Sequence, residues 1–244
     1  MDDSCSFESS ISNKVQKNHF GARPIVAKIG GMDQPLIVTA WRGHEIFADW
    51  LVRELKPTVI VELGVDMGFS SFVFATPGIG TVYGIDSFEG DPEAGLRDTY
   101  DKVIGTRDDL GIKNLELIRG YFSEVAKTWD KPIDILHIDG RHRYEDVKED
   151  FETWSKFVRP GGVILLHDTV VEKENYDVKR YFAEIKMPKT NFVRSNGLGV
   201  VSSDSKIISK INSRFAVSFV NSSPGMLVSR VIRKLRRMVQ PVKF

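Results

Sequence analysis

Residues 59–71 read VIVELGVDMGFSS. A β-branched apolar run, Val59–Val61, leads into an acid, Glu62, and then into glycines at 64 and 68, before a stretch that starts a helix. An E-x-G-x-x-x-G spacing straight after a buried strand implies a tight backbone turn that a ligand can approach with no Cβ in the way. With an acid at 62 and glycines four apart, it is not the G-x-G-x-x-G dinucleotide fingerprint. No Lys-Ser/Thr pair follows the last glycine, which excludes a Walker A loop. An acid at this strand end repels a pyrophosphate and suits a cationic amino-acid group or a ribose hydroxyl.

Outward from this turn, near-continuous apolar strands are expected at Thr81–Asp86, Leu115–Arg119, Ile133–Asp139 and Val163–His167. Helical stretches separate them, near 70–75, within 92–110, and near 123–129, 144–158 and 178–185. A helix over Trp41–Leu55, with Ile46, Phe47, Trp50, Leu51 and Leu55 at helical spacing and Pro57 as its stop, precedes the first strand. Such alternation means an α/β fold with a mostly parallel sheet covered on both faces, and ligands then lie beyond the carboxyl ends of the strands. Residues 192–194 and 198–202, joined by Asn196-Gly197, look like a closing antiparallel hairpin.

The chain has 244 residues, 41% hydrophobic and 27% charged, enough for one large domain. Cys5 is its only cysteine, so neither a disulfide framework nor a cysteine zinc site is expected, and a reducing, cytoplasmic compartment is. The first twenty residues lack an apolar signal core and no run is long enough for a membrane span. The net charge of +1 hides an asymmetry: residues 205–244 hold nine Lys or Arg and no acid, leaving −8 over residues 1–204. Within that tail, 226–239 reads as a basic amphipathic helix, either a solvated helix packed on the body or a docking element for a partner or an anionic membrane surface. The acidic body argues against DNA or other nucleic acid as substrate. The expected organisation is an N-terminal cap segment over 1–40, a catalytic domain over 41–203 and a basic tail over 204–244.

Glu62, Asp86, Asp139 and His167-Asp168 each end a strand, so four strands deliver ionisable groups to one rim. Asp86 is placed to accept ribose hydroxyls, with Ser87 beside it. Asp139 and His142 lie three apart in the turn leaving their strand, an acid to hold a cation and an imidazole to take a proton; Asp168 comes from the neighbouring strand. Two carboxylates with water and substrate oxygens suit Mg²⁺ or Mn²⁺, not Zn²⁺. His137, inside an apolar strand, reads as a core histidine, and His167 is open to either reading. Arg141 and Arg143 either grip an anionic acceptor or merely solvate the turn. Asp146, Lys148, Glu149 and Asp150 are expected on the solvated face of the following helix, with Phe151 and Trp154 on its core face.

The 59–71 stretch resembles motif I of the class I S-adenosylmethionine (SAM) dependent methyltransferases. IDSFEGDPEAG, LHIDGRHRYEDVKEDFETW, RPGGVILLHDT and NGLGVV extend the resemblance over about residues 41–202. They are similar to metal-dependent O-methyltransferases of antibiotic sugars, the macrocin and mycinamicin types, and to a branch encoded beside or fused to glycosyltransferases of surface-glycan synthesis. The resemblance implies a Rossmann-like sheet of seven strands, mostly parallel with an antiparallel last strand. It also implies a SAM site of Glu62, Gly64, Gly68, Ser70, Asp86 and Ser87, with Tyr121 near the adenine. His142 is then the base, Asp139 and Asp168 the metal ligands, and a sugar or glycan hydroxyl the acceptor. Where some sugar enzymes have Glu-Asp after the fifth strand, this chain has His167-Asp168, so a three-carboxylate site is not available. Two other readings stay open: a metal-independent methyltransferase of a small metabolite, and a non-catalytic subunit docking through its basic tail to a glycosyltransferase or a membrane.

Overall fold

The computed structural model describes residues 28–29, 32–33, 37, 39–91 and 95–215. Most of the N-terminal segment and the amphipathic stretch at 226–239 lie outside the described residues. Seven strands form the main sheet: β1 (Val59–Leu63), β2 (Thr81–Asp86), β3 (Leu115–Arg119), β4 (Ile133–Ile138), β5 (Val158–His167), β6 (Lys189–Phe192) and β7 (Leu198–Ser202). Their spatial order is 3-2-1-4-5-7-6, parallel throughout except for β7, which runs antiparallel to both β5 and β6. The order reverses between β1 and β4, and that switch point is where an open α/β sheet leaves a crevice.

Alternate strand residues face opposite layers, because successive side chains leave a strand on opposite sides. Ile60, Val82, Ile135 and Leu165 pack under α1 (Glu45–Leu55), α2 (Phe69–Ala75), α3 (Tyr100–Asp109) and α7 (Ser205–Phe215). Val61, Leu63, Leu136 and Leu166 pack under α4 (Phe122–Ala126), α5 (Tyr144–Trp154) and α6 (Val178–Glu184).

Several boundaries differ from expectation. Helix α1 starts at Glu45, and Ile46, placed on its apolar stripe by spacing, is exposed. Strand β5 begins at Val158, five residues early, because Arg159-Pro-Gly-Gly162 sits at a register irregularity against β4 and does not end the strand. The first hairpin strand is Lys189–Phe192, while Val193 and Arg194 turn outward. Helix α7 lies wholly beyond residue 203 and buries Ile207, Ile208 and Ile211 on the sheet. Among the described residues no helix is long and apolar enough to cross a membrane.

Candidate active site

A cavity of about 550 Å³ opens over the carboxyl ends of the strands, from the β5 end across the switch point to the loop after β3. Gly64, Ser70, Asp86, Ser87, Tyr121, Asp139, His142 and Asp168 all line it. Two predicted cofactor residues do not. Gly68 forms the left-handed N-cap of α2, packed against Phe72 and Val103. Glu62 is fully buried inside β1, its side chain on the α2 face of the sheet.

Glu62 belongs to a closed polar chain. Its carboxylate accepts from Ser71 Oγ and lies 2.8 Å from His137 Nδ1, while the Trp41 indole N–H donates to His137 Nε2 at 3.1 Å. Each buried polar group there has a partner, as the low dielectric demands. His137 is thus a satisfied core histidine, and the acid expected at the rim is instead its partner.

The turn after β1 is shaped by its neighbours. Gly64, at φ +92°, hydrogen-bonds to Ile85 O, and a Cβ there would strike the Asp139 carbonyl, so the ends of β1 and β4 close together only over glycine. Asp86 fixes the turn from β2. Its Oδ2 accepts from Val65 N (2.7 Å) and Asp66 N (2.9 Å), and its Oδ1 accepts from Phe88 N (2.7 Å). Tyr121, 60% exposed at the cavity mouth, donates to Glu89 Oε2 at 3.1 Å.

At the other end, His142 Nε2 lies 2.9 Å from Asp168 Oδ2, and the imidazole stacks on Tyr176 with centroids 4.2 Å apart and planes 7° from parallel. His167 Nδ1 is 3.2 Å from both Asp139 Oδ1 and Asp168 Oδ2. Burial opposes a charge on His167, but the two carboxylates outweigh it and push its pKa up to about 10. Asp168 is likewise buried, yet His142 and His167 hold it well below the usual carboxylate range. His167 Nε2 and His44 Nε2 both reach the Ser195 carbonyl, at 3.1 and 3.2 Å. Burial lowers His44 to about 4, against the pull of that carbonyl and with help from His167 and His137. The pair therefore holds one neutral and one cationic ring at neutral pH. One ligand atom each from Asp139, His142 and Asp168 lies within 4.8 Å of the others, and among the described residues Asp168 Oδ1 is buried without a hydrogen-bond partner.

Residues 61–169 match a family model described as a methyltransferase domain. Over that span the chain is similar to methyltransferase domains. The uncharacterized protein y4gI of Sinorhizobium fredii is 38% identical over 173 residues, 67% of this chain. The chain spans only 19% of that relative's length. Among solved structures, the O-methyltransferase from Bacillus cereus in complex with SAH aligns with a TM-score of 0.53 at 18% identity, over 71% of this chain and 86% of that one. TomG from Streptomyces achromogenes, an O-methyltransferase involved in tomaymycin synthesis and solved with SAM, gives 0.52 at 20% identity, over 72% and 87%. A cofactor-bound protein from MTB, Rv0187, gives 0.55 at 16% identity, over 73% and 87%. These likenesses establish the Rossmann-like methyltransferase fold.

The cavity is also lined by residues that the sequence analysis did not assign to a site. Ile37, Thr39 and Ala40 wall the cavity, and the adjoining segment is held by Ser195 Oγ donating to Arg42 O and by Trp41 reaching His137. Tyr176 lies beyond β5 with no motif around it. Asp146, Glu149 and Asp150, expected in solvent, line the cavity, because α5 lays its N-terminal half across the opening.

Proposed function

We propose that the chain is a SAM-dependent O-methyltransferase whose acceptor is a hydroxyl of a sugar in a glycan or glycoconjugate, with His142 as general base. The observation that carries this reading is the 2.9 Å pairing of His142 Nε2 with Asp168 Oδ2, beside Asp139, in the cavity that also contains the glycine turn. If Nε2–H is donated to Asp168, the basic nitrogen is Nδ1; Asp168 and Tyr176 then set the ring's tautomer and orientation. His142 takes the hydroxyl proton as the acceptor oxygen forms its bond to the methyl carbon and the carbon–sulfur bond breaks, leaving a neutral thioether. Because the sulfonium carries its own leaving-group activation, the residues act mainly by orienting the reactants.

The donor set fits a hard divalent cation: Asp139 and Asp168 would hold Mg²⁺ or Mn²⁺, and the unpartnered Asp168 Oδ1 suits such a ligand. When bound, the ion supplies a lowered pKa at a coordinated oxygen. His167 favours a second reading. Its ring lies 3.2 Å from the same two carboxylates, and its cation already offsets part of their charge, as a metal-independent enzyme acting on a small metabolite would need.

Arg141 lines the cavity and supports an anionic or hydroxyl-rich acceptor. Docking of the basic tail to a glycosyltransferase or an anionic membrane surface is the partner side of the same proposal. The test is calorimetric titration with SAM and SAH, followed by methyl transfer to a panel of sugars with and without EDTA. Binding with activity lost to EDTA and restored by Mg²⁺ supports the metal reading, and undiminished activity in EDTA supports the second. A folded sample that binds neither ligand points to a non-catalytic subunit.

A further inference from the structure

One carboxyl group in the cavity has no part in this chemistry. Asp150, on α5, is half-buried in the cavity wall, and among the described residues it has no hydrogen bond or ion pair. Its corner is built by close approach: a Cβ on Gly140 would stand 2.7 Å from the Phe122 ring and 3.2 Å from Asp150 Oδ2. Glycine at 140 therefore lets an aromatic ring and a carboxyl group converge on one patch of cavity floor, where α4 packs beside α5.

On the SAM-dependent reading, which puts the ribose at Asp86, the strand order sets which part of the cofactor reaches this patch. With the ribose at Asp86 on β2, the sulfonium must point along the rim toward His142 and Asp168, at the β4 and β5 ends. The base must then extend the opposite way, toward residues 120–123 after β3. An aromatic ring beside a carboxyl acceptor suits a purine carrying an exocyclic amine. We propose that Asp150 is the residue that reads the cofactor base, its carboxyl oxygen accepting a hydrogen bond from the adenine 6-amino group while Phe122 borders the ring. This rests on the SAM-dependent reading above.

Desolvation is consistent with a group awaiting a partner. Burial first, then Asp146 and Glu149, push the Asp150 pKa up to about 7, and Arg141 opposes them only in part. An acid on a solvated helix face would show no such cost.

The experiment compares SAH with its analogue that has purine in place of adenine and so lacks the 6-amino group. Calorimetric dissociation constants are measured for the wild type, Asp150→Asn and Asp150→Ala, each first shown to melt cooperatively. The wild type should prefer SAH by about tenfold, the worth of one such hydrogen bond. Asp150→Ala should lose about that factor for SAH and less than about twofold for the analogue, while Asp150→Asn, whose amide oxygen still accepts, should keep most of the preference. A wild type that does not distinguish the two ligands, or an Asp150→Ala variant that weakens both equally or neither, overturns the assignment. The wild-type comparison stands even if a variant fails to fold. Wild-type protein that is folded and binds neither ligand overturns the cofactor reading as well.

Discussion

Within β1 and β4, Glu62 and His137 meet beneath α2; beyond β4 and at the end of β5, Asp139, His142, His167 and Asp168 meet in the cavity. The chemical groups are the same in both places, and the surroundings differ. The inner chain is sealed, with Trp41 and Ser71 satisfying its ends. The rim cluster is open, with a buried carboxylate oxygen left over and a stacked imidazole facing the cavity. A closed polar chain specifies the core, whereas an open one can exchange protons or hold a ligand.

Four substitutions or conditions sharpen that contrast. His142→Ala should cut methyl transfer by about 10³-fold while SAM affinity stays within about twofold, measured by turnover and calorimetry on one preparation. Retained turnover would remove His142 from the proton transfer. Glu62→Ala should act the other way, costing about 3 kcal/mol in urea unfolding because it strands a buried imidazole and hydroxyl. Its SAM affinity, measured where the protein is folded, should change little; a large affinity loss with intact stability would reverse the roles assigned to the two clusters. Asp86→Ala should weaken SAM by about thirtyfold, since it removes a charged acceptor and releases the amides of Val65 and Asp66.

The smallest effect concerns pH. His44 falls from 6.5 to about 4 on folding, so the unfolded chain takes up the proton first as pH drops, and folded stability is lost from about 6.5 toward 4. The stability difference between wild type and His44→Gln should therefore shift against the wild type by about 1.4 kcal/mol between pH 8 and 5.5. Comparing the two proteins cancels the opposite slope from Asp150, whose raised pKa favours the folded state as pH falls.

The sheet was legible because its strands are apolar, β-branched runs: Thr81–Asp86 and Leu115–Arg119 have the expected limits. The cavity lining at Asp86, Asp139, His142 and Asp168 was legible because each lies at or just beyond a strand end. Glu62 misled for a reason also present in the sequence. Leu63 continues the strand after it, and period-two alternation puts Glu62 on the face of Ile60, not on the rim. Asp150 was not legible. An acid at 146, 149 and 150 is the ordinary pattern of a wet helix face, and only the tertiary placement of α5 over Gly140 turns that face into a wall. Helix α7 was readable from Ile207, Ile208 and Ile211, but the domain was expected to end at 203.

The three amide hydrogen bonds collected by Asp86 have a kinetic consequence. The glycine turn takes its shape in the ligand-free chain, so arrival of the cofactor requires little reordering of that backbone. Its association rate should then rise in proportion to concentration without the plateau of a slow preceding isomerisation, and differences in affinity among ligands should reside in how quickly they leave.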